Sequence, residues 1–319
     1  MASIIRFNVN DIVDDTQKVA VSTWTNNTNN LQVAHTSSTQ ANFDTPTSSG
    51  AFFIDVHDKV TTDDTSKVQY SIAYGHRFGS GSKNFTNDLG AKGKSASGVT
   101  YAQYRNLING DETTNLSFNG ATPQDIFILN INRANYRHNL KPATLNLRLA
   151  PVDKGSAPTA SGVPVNILHL TDDSITKTGS AVLTNLGRQF NIVSGANGVM
   201  SGSTLTQSPL TTTQGSYGLF YPDAGLIILN GRALSQSLHL EGDQADNATP
   251  NATTLLRDAI TGSSTEFPSK HFIIDSEERI SSQFYFVRAT NGEFNYTTNP
   301  SFIDNQGNLN FDSMIDNPT

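Results

Sequence analysis

The sequence predicts a mainly β protein, a β-sandwich-like body with long polar loops and one or two short helices. Three observations predict it. Charged residues make up only 15% of the 319 and hydrophobic residues 36%, so neutral polar side chains fill much of the chain. Asn, Ser and Thr compete with helical hydrogen bonding and favour strands and turns. Short apolar runs, several with period-two alternation, recur along the chain. Tracts of Gly, Ser, Thr and Asn separate them, and no repeat of roughly 20–50 residues points to a solenoid or propeller. The length suits one large domain or two ordinary ones. We read residues 1–319 as a single β-rich domain with large loop insertions, in which residues 1–50 are a candidate N-terminal arm.

The elements follow in order. Ile4, Ile5, Phe7 and Val9, then Val19, Val21 and Thr23, mark strands over 4–24. Residues 26–47 are nearly all Asn, Thr, Ser and Gln and read as a long excursion. AFFIDVH (51–57) and VQYSIAY (68–74) read as strands, with TTDDTS (61–66) as a turn between them. Residues 79–98 are rich in Gly, Ser and Lys and read as a loop. In TYAQYRNLI (100–108), Tyr101, Tyr104, Leu107 and Ile108 fall near one helical face, which predicts a helix. IFILNIN (126–132) is a buried-strand candidate. LNLRLA (145–150) alternates, with Leu145, Leu147 and Leu149 on one face. VPVNILHL (163–170) is similar, and Pro164 confines it to a strand start or an edge.

Residues 194–216 show no element. GLFYPDAGLIILNG (218–231) predicts a hairpin, because Pro222-Asp223-Ala224-Gly225 has turn chemistry between two apolar runs. A polar loop (241–254), a short helix (ATTLLRDAI, 252–260) and two late strands (HFIID, 271–275; QFYFVRA, 283–289) complete the chain. Thr290-Asn291-Gly292 reads as a turn into a second extended segment, EFNYTTNP, since Asn-Gly between apolar runs is a strong hairpin signal. In the strand before it, Phe284 and Phe286 share one face and Tyr285 and Val287 the other. Both faces are apolar, so the strand is expected to be core, covered on both sides by the body of the fold or by a neighbouring subunit. Phe294 and Tyr296 are expected to return to the same core.

Several function classes are excluded. The net charge is −7 and the 21 Lys and Arg form no basic run, which argues against a nucleic-acid partner. The chain has no Cys, so disulfides, thiolate metal sites and a cysteine nucleophile are out, as suits a reducing cytosol. MASIIRFNVNDIVDD lacks the apolar core of a signal peptide, and no run approaches the ~20 apolar residues of a membrane span. Gly90-Ala-Lys-Gly93-Lys94-Ser95 invites a phosphate-loop reading. However, Asp88 stands where the first Gly belongs, and no apolar strand precedes it.

Seven histidines (35, 57, 76, 138, 169, 239 and 271) form neither H-x-x-x-H nor H-E-x-x-H. His57 and His169 lie in strand-like runs. Asp63-Asp64 and Asp172-Asp173 would suit two-carboxylate glycoside chemistry, but both pairs sit in Thr/Ser-rich turns, where Asp caps backbone amides. Asp304-Asn305-Gln306-Gly307 lacks the alternating ligands of a calcium loop. No G-x-S-x-G joins a strand to a helix. The expectation is a protein that is not an enzyme, with no catalytic, cofactor-binding or metal residues and no cofactor.

FYFVRATNGEFNYTTNPSFID (284–304) resembles a segment near the C-terminus of virion structural proteins of large contractile-tailed bacteriophages, cyanophages among them. AYGHRFGSGS (73–82), TYAQYRNLI, QDIFILNINRANYRHNLKPATLNLRLA (124–150), LHLTDDS (168–174) and YGLFYPDAGLIILNG (217–231) resemble the same proteins in the same order. The resemblance implies a tail-associated structural protein of the baseplate or neck, located in the virion and assembled in the host cytoplasm. Its partners would be other tail, baseplate or neck proteins and further copies of itself, as a homo-oligomer or ring, with no membrane. It also implies that such chains continue past Thr319 with further strand sequence. The alternative is a receptor- or carbohydrate-binding tail-fibre module. That would need exposed aromatics in a concave site, and Trp24 is the chain's one Trp.

Overall fold

The computed structural model describes residues 8–25, 30–31, 35–36, 53–79, 96–149, 168–176, 181–200, 215–238, 256, 260, 272–287 and 306. The described residues are mainly β, with 50% strand and 15% helix. In chain order the elements begin with β1 (Ile12–Ser22), β2 (Asn30–Leu31), β3 (His35–Thr36), β4 (Phe53–His57) and β5 (Val68–His76). Helix α1 (Ala96–Asn109) follows, then β6 (Asp125–Ile131), β7 (Asn139–Leu140), β8 (Asn146–Leu149) and β9 (Leu168–Asp172). After β10 (Val182–Thr184), β11 (Gly187–Ala196), β12 (Val199–Met200), β13 (Gly218–Tyr221) and β14 (Leu226–Asn230) comes α2 (Gly231–Leu238), and β15 (Phe272–Ile273) and β16 (Asp275–Tyr285) finish the series. The chain divides into two compact units, residues 19–278 and residues 1–18 with 279–319.

The larger unit is built on one sheet, in the order β2-β15-β8-β9-β11-β13-β14-β6-β5-β4-β3, with β10 and β12 paired to β11. Every registered pairing in it is antiparallel. Its two end strands, β2 and β3, are neighbours in the chain, only residues 32–34 apart. Four Cα steps reach at most about 15 Å, so the sheet must curl until its ends nearly meet. A seam of aromatic rings marks the closure. Trp24 lies against Phe272 of β15 at 4.9 Å and Tyr70 of β5 at 5.9 Å, and those two rings are 5.2 Å apart. The Trp24 indole N–H donates to the Phe272 carbonyl at 3.1 Å. Strands second and ninth in the order thus touch across the interior.

Period two explains which residues go where. Phe127, Leu129 and Ile131 of β6 face this interior, with Tyr70, Ile72, Leu147, Phe190, Phe220 and Ile227. Ile126 and Ile128 face the other way, with Leu219, Tyr221, Leu226 and Ile228, under Tyr101 and Ile108 of α1. Strands β6, β13 and β14 are buried on both sides, so they read as apolar runs in the sequence. Helix α1 lies directly on β5: a Cβ at Gly75 would come within 2.9 Å of the Tyr101 amide nitrogen. Helix α2 starts at Asn230, whose Oδ1 accepts from the Ala233 amide at 3.2 Å while its Nδ2 donates to the Ser216 carbonyl at 3.0 Å. Ala233 and Leu234 then fill the interior with Leu256 and Ile260.

The expected hairpin at 218–231 is β13–β14 with its turn at 222–225. Asp223 in that turn also binds Arg188 of β11, accepting from its backbone N–H and from Nη2, each at 2.7 Å. The strands expected at 51–57, 68–74, 126–132 and 145–150 are present as β4, β5, β6 and β8. Several readings need correction. Residues 96–98 belong to α1 rather than to a loop, and residues 80–95 lie outside the described residues. The stretch 194–200 is not featureless: it ends β11 and turns into β12 through Asn197-Gly198, both at positive φ. Val9 opens a 3-10 turn, and the N-terminal strand starts at Ile12 and runs through Asp-Asp-Thr-Gln-Lys. Residues 4–7, 163–167 and 288–304, and 252–260 except Leu256 and Ile260, lie outside the described residues.

Candidate interaction surface

Strand β16 is the centre of a second, three-stranded sheet, in the order β1-β16-β7. β7 pairs with it only at Ser276 and Glu277. From Arg279 onward, its neighbour among the described residues is β1. In the smaller unit, the Phe286 amide donates to the Asp11 carbonyl at 2.8 Å and Gln283 Nε2 donates to Asp14 Oδ1 at 2.7 Å. The Tyr285 hydroxyl donates to Gln283 Oε1. The Asp11 side chain accepts from the Asn8 amide at 2.9 Å, tying down the turn before β1. Polar contacts thus hold the ribbon together along its length.

Its apolar side chains are not covered. Phe284 is 51% exposed and Phe286 58% on one face, and Tyr285 is 55% and Val287 78% exposed on the other. Ile280, Val13 and Val9 are exposed as well. This corrects the expectation that the aromatic cluster is core within this chain. The strand has two apolar faces, and among the described residues neither is covered by a second layer. The other cover expected for these residues is a neighbouring subunit. The return of Phe294 and Tyr296 lies outside the described residues.

Three of the acids considered for catalysis, Asp63, Asp172 and Asp173, accept hydrogen bonds from backbone amides. Asp63 Oδ1 accepts from the Thr65 amide and hydroxyl at 2.8 and 2.7 Å, and these bonds hold its carboxyl below the usual range. Asp172 and Asp173 also serve local amides, but they are buried, which their polar surroundings in sequence did not suggest. Asp172 accepts from Ala143 at 3.0 Å and Ser174 at 3.1 Å, and Asp173 from the Asn191 amide at 2.9 Å and side chain at 3.0 Å. They pin β9 to its neighbours.

Burial pushes the Asp172 carboxyl up, and hydrogen bonds from Ser174 and Ala143 offset this only in part. A raised folded pKa means that the native state binds the extra proton. Its contribution to stability is full below the ordinary carboxylate pKa and is lost as pH rises through the folded value. Asp172→Asn is therefore expected to remove a fall in stability over the pH range that begins at the ordinary carboxylate pKa of about 4 and ends above the raised value. Urea midpoints of parent and variant across that range would show it, and parallel curves would refute it.

Of the seven histidines, His239 and His271 lie outside the described residues. His57 is opposite His35 in the β3–β4 pair, and its Nδ1 is 3.1 Å from Ser66 Oγ. His169 is opposite Arg148 in β8–β9, and burial with that neighbouring charge lowers its pKa. Among the described residues, no three His, Cys, Asp or Glu side chains cluster as a metal site would need. No described helix is long and apolar enough to cross a membrane. Gly90–Ser95 lies outside the described residues, as does 304–307 apart from Gln306. No family model, no curated protein and no solved structure matches the chain.

Proposed function

We propose that this chain is a non-enzymatic structural component of a contractile-tailed phage virion, an assembly protein of the baseplate or neck that acts through protein–protein contacts. One observation carries the reading: the exposed aromatic end of β16, Phe284 to Val287. Apolar surface of this kind is typical of sites that another chain covers. The same residues lie in the stretch that resembles tail-associated virion proteins, and the other resembling stretches include parts of β5, α1, β6, β9, β13 and β14. The partners are other tail, baseplate or neck proteins and further copies of this chain. The net charge of −7 argues against a nucleic-acid partner.

A cryo-EM map of the particle tests this. The chain is expected at the tail, with Phe284 and Phe286 buried against a neighbour. Its absence from the tail, or its presence with those rings in solvent, would overturn the reading. The exposed Phe284, Tyr285 and Phe286 also favour a second reading, a receptor- or carbohydrate-binding module. Against it, the single Trp is buried in the seam. Glycan-array binding that disappears in Tyr285→Ala would shift the choice to that module.

A further inference from the structure

Three buried polar atoms without hydrogen bonds gather where α1 meets the end of β5. They are the Tyr101 hydroxyl, Arg105 Nε and Asn115 Oδ1. Tyr101 and Arg105 stand one turn apart on α1, on one face of the helix. Asn115 precedes Leu116, whose backbone approaches the Tyr101 oxygen without completing a hydrogen bond. Buried polar groups are rarely left unpaired, and several in one place mark the seat of a water or an ion.

The charge around them favours an ion. The β5–β6 pairing continues past His76, where the Arg77 amide donates to the Gln124 carbonyl at 2.7 Å. Side chains two apart on a strand share a face. Arg77 therefore points to the α1 side, as Gly75 does against Tyr101. Its guanidinium lies over the Phe78 ring, 5.2 Å from the centroid. Burial pushes the Tyr101 pKa up, while the Leu116 backbone and the positive charges of Arg77 and Arg105 oppose this. Two cations thus stand beside one buried hydroxyl. Among the described residues neither has a carboxylate partner, although the chain carries 28 Asp and Glu against 21 Lys and Arg. Asp111, in the loop before Asn115, is occupied by the Thr113 and Thr114 amides, each at 2.6 Å. Unpaired arginines on a surface are ordinary. Unpaired buried atoms beside them are not.

We propose that Arg77, Arg105, Tyr101 and Asn115 form a binding site for inorganic phosphate. The guanidinium groups and the Tyr101 O–H donate to its oxygens, in charge-assisted bonds. Asn115 Oδ1 is an acceptor and needs a donor instead. Phosphate near neutral pH still carries a proton and supplies one, whereas sulfate does not. Water would satisfy the same three atoms but leave both cations without a counter-charge.

This inference goes beyond the assembly reading and does not depend on it, because the purified chain alone is the sample. Phosphate is titrated calorimetrically, with chloride holding the ionic strength constant so that screening does not change. A saturable site is expected, which sulfate fills more weakly. Tyr101→Phe keeps the ring and both cations and removes only the hydroxyl. It is expected to weaken phosphate ~10-fold or more, the effect of losing a hydrogen bond to a charged group. Arg105→Gln and Arg77→Gln are expected to weaken it as well. Arg137→Gln, at an exposed arginine between β6 and β7, is the control that binds as the parent does. Asn115→Ala is expected to bring phosphate and sulfate to equal affinity. Urea midpoints followed by Trp24 emission identify the variants that fold. Arg77 is exposed, so Arg77→Gln keeps the test open if Arg105→Gln does not fold. A parent indifferent to phosphate would mean that water fills the place, and would overturn the proposal. So would undiminished binding in Tyr101→Phe, or sulfate held by the parent as tightly as phosphate.

Discussion

Phe272→Ala is expected to lower stability by about 3–5 kcal/mol, the usual cost of removing a buried phenylalanine. That is a large share of the ~5–15 kcal/mol that holds a domain folded. The effect is expected at the top of the range because of where the ring lies. Phe272 is fully buried between Trp24 and Tyr70, where the curled sheet closes. Its strand is two residues long and pairs β2 on one side and β8 on the other. Deleting the ring leaves a cavity where the pairing to each neighbouring strand is only two residues long. Trp24 is the only tryptophan, so its emission reports the seam directly during denaturation. Phe53→Ala, on an exposed face of β4, is the control and should cost under about 1 kcal/mol. Equal losses in the two variants would show that the seam has no special weight.

How much of this was readable in the sequence depends on where each strand finds its partners. β6, β13 and β14 were legible because both of their faces are buried, so most of their residues are apolar. β11 was missed because its sequence, GRQFNIVSGA, mixes signals. Asn191 is buried and polar, and only its bonds to Asp173 explain it. Arg188 likewise makes sense only beside Asp223. A window of sequence cannot show a partner that lies 18 or 35 residues away. The β11–β12 turn could have been found, since Asn197-Gly198 carries the same signal that marked Asn291-Gly292. β1 was expected within the strands over 4–24, but its start at Ile12 was not, because most of it is exposed and Asp14, Asp15, Gln17 and Lys18 mask any alternation. Closure of the sheet was not legible at all, because it rests on Leu31 meeting Phe272 and His35 meeting His57. For the candidate surface, the aromatic residues were evident and their exposure was not. Two apolar faces look the same in sequence whether the cover comes from this chain or from another.

That ambiguity is resolved by the second expected result, which concerns the same residue type as the first. The double variant Phe284→Ala/Phe286→Ala should stay within about 0.5 kcal/mol of the parent in stability, as exposed substitutions usually do. It should nevertheless weaken association by ~30-fold or more, the effect of losing an interface anchor worth about 2 kcal/mol. The physical reason is the reference state. Phe272 loses its surroundings when the chain unfolds, so its truncation is felt in folding. Phe284 and Phe286 are already about half in water in the single chain, so their truncation is felt only when a second chain would have removed that water. Denaturation curves and sedimentation of the same samples separate the two effects. If the double variant unfolds as readily as Phe272→Ala, the rings are core and the surface reading fails. If it is stable and still associates like the parent, the contact lies elsewhere on the molecule. A variant that is as stable as the parent and associates less is the outcome that the exposed rings of β16 require.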